Sequence, residues 1–131
     1  VRIKTMMESA DLKSIGFLNK WVAIADDDPL LAYSTWVESK ILTSGDERLV
    51  ENTLGLVGEA GEVAEKVKKL IRDKSKFTKQ DVVKELGDVV FYVTAIANYY
   101  GSDLSEVIEE NVIKLDGREA RGTLKGSGDN R

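Results

Sequence analysis

One proline, Pro29, interrupts 131 residues, and helix-forming residues dominate from there to Leu115. That distribution points to an all-α fold. The length suits a single domain able to bury about two thirds of its unfolded surface. Hydrophobic residues make up 42% and charged residues 32%, a globular balance.

Punctuation along the chain sets the expected elements. Met6, Leu12, Ile15, Leu18, Trp21, Val22 and Ala25 give a helical period over about Thr5 to Ala25. "DDDP", Asp26 to Pro29, reads as an acidic cap followed by Pro in the first turn. Helices are then expected from about Leu30 to Leu42 and from about Arg48 to Asp73. The next runs from Thr78, as N-cap, to about Tyr100, where Gly101 is its stop. Ser102 or Asp103 caps the last, to about Asp116. The domain reading is an N-terminal helical extension over 1–28, a bundle of about four core helices over 29–116, and a Gly/Arg-rich tail over 117–131. No apolar run reaches the ~20 residues of a membrane span, and "VRIKTMMESA" lacks a signal peptide's hydrophobic segment. The expected compartment is the cytoplasm, with no membrane partner.

Histidine and cysteine are both absent. That excludes Ser-His-Asp and Cys-His nucleophile systems, the usual zinc sites, and di-iron sites built on Glu-x-x-His. Chemistry must run on carboxylates, Lys, Arg, Tyr and a hard metal. The net charge of −4 argues against a general nucleic-acid binder.

Two acid pairs stand out. In "GLVGEAGEVAEKVKK", Glu59 and Glu62 lie about 60° apart and rim the stripe formed by Leu56, Val63, Val67 and Leu70. In "KELGDVVFYV", Glu85 falls within about 40° of Val89, Tyr92 and Ile96, with Asp88 at its edge. Glu85 therefore projects from the face that should be buried, where a carboxylate must be paired, protonated or metal-bound. A solvated face or a salt-bridged core is the competing explanation, with Lys66, Lys69 or Lys84 as partners. Lys66 lies on the Glu59/Glu62 side, which favours that pairing for the first acid pair over the second. If the two helices pack antiparallel, four carboxylates converge, and an all-oxygen cluster suits Mg²⁺ or Mn²⁺. Gly58 and Gly61 would let another backbone or a ligand approach closely.

Taken in order, "GEAGEVAE … KELGDVVFYV" resembles the MazG-like all-α nucleoside triphosphate pyrophosphohydrolases, whose signature is E-x-x-E, a spacer, then E-x-x-D. Downstream, "NVIKLDGR" is similar to the family's N-x-x-K-L-x-x-R and places Asn111, Lys114 and Arg118. The likeness runs from about Tyr33 to Arg131. It implies that Glu59, Glu62, Glu85 and Asp88 hold Mg²⁺, which binds a triphosphate and helps water attack the α-phosphorus. Monophosphate and pyrophosphate are then released. It also implies a homodimer, or a tetramer of two dimers, that completes the bundle. Two departures are visible. Gly58 stands where many relatives carry an acid, so Glu59 or Glu62, through a water held by the metal, takes the role of base. Tyr33-Ser34 stands where relatives often carry Tyr-Gln, so base recognition is expected to differ.

From Asn111 to Arg131 five basic and three acidic residues give a local charge of +2, leaving −6 for the remainder. Lys114 and Arg118, with Arg121, Lys125 and Arg131 beyond them, are the expected phosphate contacts; a solvated terminus is the plainer alternative for the tail. Trp36 is the expected base-stacking residue, although core packing suits any single aromatic. The expected activity is Mg²⁺-dependent hydrolysis of (deoxy)nucleoside triphosphates. Rivals are a phosphoribosyl-ATP pyrophosphohydrolase and a non-catalytic regulatory module that binds nucleotide or metal.

Overall fold

The computed structural model describes residues 28–129. Four helices follow in order: α1 (Pro29–Glu38), α2 (Gly45–Arg72), α3 (Lys79–Tyr99) and α4 (Leu104–Ala120), with no strand among the described residues. The helix expected over Thr5–Ala25, most of the 1–28 extension, and Arg131 lie outside them.

Local chemistry accounts for the helix ends. Asp28 caps α1, its carboxylate accepting from the Leu31 amide at 3.0 Å, with Pro29 in the first turn. The helix ends at Glu38, earlier than the expected Leu42. There the Lys40 and Ile41 amides turn back to Val37 and Glu38 with three-residue spacing, and the Ser39 hydroxyl donates to the Trp36 carbonyl at 2.6 Å. α2 starts at Gly45, before the expected Arg48, because Asp46 and Glu47 suit the positive end of a helix. Thr78 forms a full capping box with Asp81 at the start of α3. That helix stops at Gly101, whose φ of +74° favours glycine. The Ser102 and Gly101 amides there bond back to Ala97 and Asn98. Asp103, rather than Ser102, caps α4 by accepting from Glu106 at 2.9 Å. α4 continues past the expected Asp116, carrying Gly117 within it, and closes at Gly122 (φ +68°) with Thr123 bonding back to Arg118 at 2.8 Å.

α2 and α3 form the main hairpin, and α1 lies against α3 and α4. α4 also meets α3, but its backbone makes no close approach to α2 among the described residues. Ser34 ties α1 to the next layer, its hydroxyl accepting from the Leu104 amide at 3.0 Å and donating to the Leu30 carbonyl at 3.0 Å. Glu38 joins three helices: Arg48 of α2 reaches it through two bonds of 2.8 and 2.6 Å, and Asn98 of α3 donates to it at 3.2 Å.

The buried apolar core is small, consisting of Ala32, Val37, Ala95, Ala97 and Leu104. The lower half of the α2 stripe, Val67 and Leu70, is exposed, as are Val107, Ile108, Val112, Ile113 and Leu115 on α4. No helix among the described residues is long and apolar enough to cross a membrane.

Candidate metal centre

The antiparallel register of α2 and α3 builds the acidic cluster. It sets Gly55 against Tyr92, Glu59 near Asp88, and Lys66 toward Asp81. Gly55 makes that spacing possible, since a Cβ there would overlap the Tyr92 ring. Gly58 and Gly61, the glycines expected to admit a neighbouring backbone, face open space instead. The close approach belongs one turn earlier, at a position no acid motif marks.

One carboxylate oxygen each from Glu59, Glu85 and Asp88 lies within 4.8 Å of the others. Glu59 and Glu85 are half-buried and Asp88 is exposed. Burial holds the Glu59 carboxyl above its ordinary pKa, and the negative charges of Asp88, Glu85 and Glu62 push the same way. The Tyr33 phenol, on α1, is also raised, first by burial and then by Asp88. Charges that lift their neighbours' proton affinity are under-neutralised. Three hard oxygen donors with excess negative charge fit a divalent cation of the Mg²⁺ or Mn²⁺ type.

Glu62 is exposed and outside that group of three, although its charge reaches Glu59 and Lys66. Lys66 is the local cation, with its Nζ 3.0 Å from Glu85. The ion pair expected to suit the first acid pair is thus made with the second. The helix rotates Lys66 toward α3, where Glu85 accepts it. Glu85 raises the Lys66 ammonium's pKa most, with Asp81 and Glu62 adding to it.

Basic residues of α4 gather elsewhere. Arg118 is 5% exposed, and its Nη2 donates to the Gly128 carbonyl and to Asp129 Oδ1, both at 3.1 Å. Lys114 Nζ lies 3.9 Å from the same Asp129 oxygen. Asn111 is exposed and lines a groove of about 470 Å³ with Ser102, Glu106, Val107, Glu110 and Lys114. Arg121 and Lys125 are exposed, the Arg121 guanidinium lying over Gly117. The structure therefore joins Lys114 and Arg118 to each other through the tail, and their contacts are not with the acidic cluster.

Trp36 sits between Tyr33 and Phe91, with ring centroids at 5.6 and 6.0 Å, and the Lys40 ammonium lies 5.8 Å from its ring centroid. Beside this group a cavity of about 240 Å³ opens between α2, α3 and the turn after α1. Phe91 and Tyr92 line it, with Glu51, Asn52 and the segment Lys40–Thr43; Trp36 meets Phe91 edge-on. Sequence reasoning passed over Asn52 and Phe91. A signal existed for Asn52, which precedes Glu59 by two turns and shares its face within about 20°.

Residues 49–122 match the MazG nucleotide pyrophosphohydrolase domain. The chain is 51% identical over 83 residues to the "Gene 37 protein" of Mycobacterium phage L5, covering 60% of this chain and 73% of that protein. No solved structure matches. With an all-α hairpin presenting three of its four motif carboxylates together, the chain belongs to the family of MazG nucleotide pyrophosphohydrolase domains, which is metal-dependent.

Proposed function

We propose that the protein hydrolyses (deoxy)nucleoside triphosphates to monophosphate and pyrophosphate with Mg²⁺, Mn²⁺ being a substitute. The convergence of Glu59, Glu85 and Asp88 oxygens within 4.8 Å carries this reading. In the reaction, water oxygen bonds to the α-phosphorus and the bridging α–β P–O bond breaks, with pyrophosphate leaving. Glu59, Glu85 and Asp88 would hold the cation, and Glu62 would support them from the rim. The cation, when bound, supplies charge neutralisation of the polyphosphate and a more acidic water. Glu59, half-buried beside Glu85 and Asp88, is the first choice to take the proton from the attacking water. Glu62 is the second choice for that role. Lys66 orients Glu85 and keeps its charge from adding fully to the cluster.

Lys114 and Arg118 form the proposed cationic wall for the leaving phosphates. The position of Asp129 supports this, because its carboxylate sits on both cations as a phosphate oxygen would. Arg121, Lys125 and Arg131 are further phosphate contacts in this reading, and Asn111 holds the substrate beside Lys114. A second copy of the chain, in a homodimer or a tetramer of dimers, would cover the exposed Val107, Ile108, Val112, Ile113 and Leu115 of α4.

A nucleotide panel with Mg²⁺ tests the activity by phosphate release measured before and after added inorganic pyrophosphatase. Orthophosphate only after that addition is the expected result. Turnover restricted to phosphoribosyl-ATP, or binding without turnover on every nucleotide, would replace the proposal by one of its rivals.

A further inference from the structure

The net charge of −4 averages two unlike regions. Residues 66–84 hold eight basic and two acidic residues, a charge of +6, which leaves −10 for the remainder. That window is the closed end of the α2–α3 hairpin, from the last turns of α2 to the first turns of α3. Lys69, Arg72, Lys74, Lys76, Lys79 and Lys84 are all exposed there. Arg72 pairs with Asp73 and Lys69 lies 3.6 Å from Glu65, but exposed pairs of this kind hold weakly. Lys74, Lys76, Lys79 and Lys84 form no ion pair with any described residue. Lys74 also takes a left-handed φ of +51°, where glycine or asparagine is usual. Crowded like charges repel, so this end is held at a cost that a bound polyanion would relieve.

Geometry narrows the kind of polyanion. Lys66 marks the direction of α3 from α2, because its Nζ lies 3.0 Å from Glu85. Counted from there, Lys69 and Arg72 turn to one flank of α2, about 60° and 120° round. Val67 and Ile71 turn to the other flank, about 100° and 140° round. α3 runs antiparallel and turns Lys84 to the Lys69 flank. A bilayer surface would need basic and apolar side chains on one face, and here they point to opposite flanks. The one aromatic residue at this end, Phe77, is half-buried, so a stacking platform for single strands is missing. Two packed helices are about 20 Å across, wider than the ~12 Å major groove of B-DNA. The hairpin end therefore suits the phosphate backbones on either side of a groove and stops short of the base edges.

We propose that the closed end of the α2–α3 hairpin docks on the phosphate backbone of double-stranded DNA, without sequence preference. Lys69, Arg72, Lys74, Lys76 and Lys84 make the contact. The −10 carried by the rest of the chain repels DNA and directs the encounter to this end. The pyrophosphohydrolase reading is not needed for this, because the clustered carboxylates take no part.

The test titrates the full chain into two fluorescent DNA duplexes of unrelated sequence and follows anisotropy at several salt concentrations. Both duplexes should bind alike, with Kd on the order of 10 μM near 0.1 M salt and affinity falling steeply as salt rises. Combining Arg72→Gln, Lys74→Gln and Lys76→Gln should weaken binding at least about tenfold. The same variant should flatten the log–log salt slope by about 2–3 units. Its Tm should stay close to that of the wild type, because exposed ion pairs stabilise little. Arg121→Gln with Lys125→Gln, which removes basic charge from the tail, should leave DNA affinity within about threefold. No binding at low salt would overturn the proposal, as would equal losses in the hairpin and tail variants. A marked preference for one duplex would overturn the backbone-only contact. Cosedimentation with phosphatidylserine-rich vesicles in place of DNA binding would overturn the proposal in favour of a membrane surface.

Discussion

The α2–α3 hairpin and the α4–tail region carry opposite charges and treat them in opposite ways. On the hairpin, Glu59, Glu85 and Asp88 crowd together with Lys66 as their close cation, and burial, reinforced by the surplus negative charge, raises the Glu59 pKa. On α4, the buried Arg118 is already matched by Gly128 and Asp129, and Lys114 leans toward the same carboxylate. The hairpin thus leaves its clustered carboxylates under-neutralised, as a cation site would. Lys114 and Arg118 thus already face a carboxylate of their own chain, although the buried Arg118 Nε has no hydrogen-bond partner, and the proposed anionic substrate would have to compete with the tail for them.

The strongest way to break this contrast is to remove the charge that makes the hairpin distinctive. Glu59→Gln and Asp88→Asn should each lower turnover by at least ~10²-fold, and chelation with EDTA should abolish it. Glu62→Gln, outside the group of three, should cost less than either, about tenfold. Equal losses for Glu62 and Glu59 in steady-state kinetics would place all four acids on the ion.

On α4 two changes should act in opposite directions. Arg118→Ala should raise KM by roughly tenfold, the scale of one charge-assisted hydrogen bond. Asp129→Asn weakens the competitor and should lower KM by about two- to fivefold. A KM that rises in both variants would make the tail contact a support for substrate rather than its rival.

Gly55→Ala probes the packing under the acids. The new methyl overlaps the Tyr92 ring, so the hairpin must spread, at about 1–3 kcal/mol. A thermal melt should show Tm lower by several degrees, together with weaker metal binding. An unchanged Tm would mean that Tyr92 swings away freely.

Acid–base behaviour gives the smallest effect and the sharpest sign. The Glu59 pKa is raised above its ordinary 4.5 when folded. As pH climbs from that value, the unfolded chain ionises first, so metal-free stability falls through this window. The Glu38 pKa is lowered, chiefly by its hydrogen bond from Arg48, so its contribution is present above 4.5 and is lost as pH falls through the lowered value. Tm measured against pH without metal should therefore lose its downward upper limb in Glu59→Gln and its acid limb in Glu38→Gln. Saturating Mg²⁺ should reverse the upper limb, because binding draws on the ionised form.

What the sequence made legible follows the range of the interaction involved. Asp28, Thr78 and Asp103 announce helix starts because a cap acts within three residues. Gly101 announces a stop for the same reason. The late end of α4 was less legible, since Gly117 resembles a stop while Gly122 performs the turn. The acid pairs were visible as motifs, and helical geometry alone put Glu85 on the packing face. Which acid would face which cation was not visible, because the Lys66–Glu85 pair depends on the register between two helices. Asn52 belongs to no motif; its place on the Glu59 face was readable from helical spacing, whereas its burial was not.

The Glu38 junction has a consequence for the shape of the neighbouring cavity. The segment Lys40–Thr43, one wall of the aromatic cavity, begins two residues beyond Glu38, where Arg48 and Asn98 fasten the end of α1. That wall is therefore anchored by a partly hydrated charge pair outside the cavity. Ionic strength screens such pairs and leaves apolar contacts nearly untouched. The cavity wall would then hold firmly in dilute salt and loosen in concentrated salt, with Glu59, Glu85 and Asp88 unmoved. Charge changes at 38 or 48 offer a route to a reshaped cavity in which no residue lining it has to change.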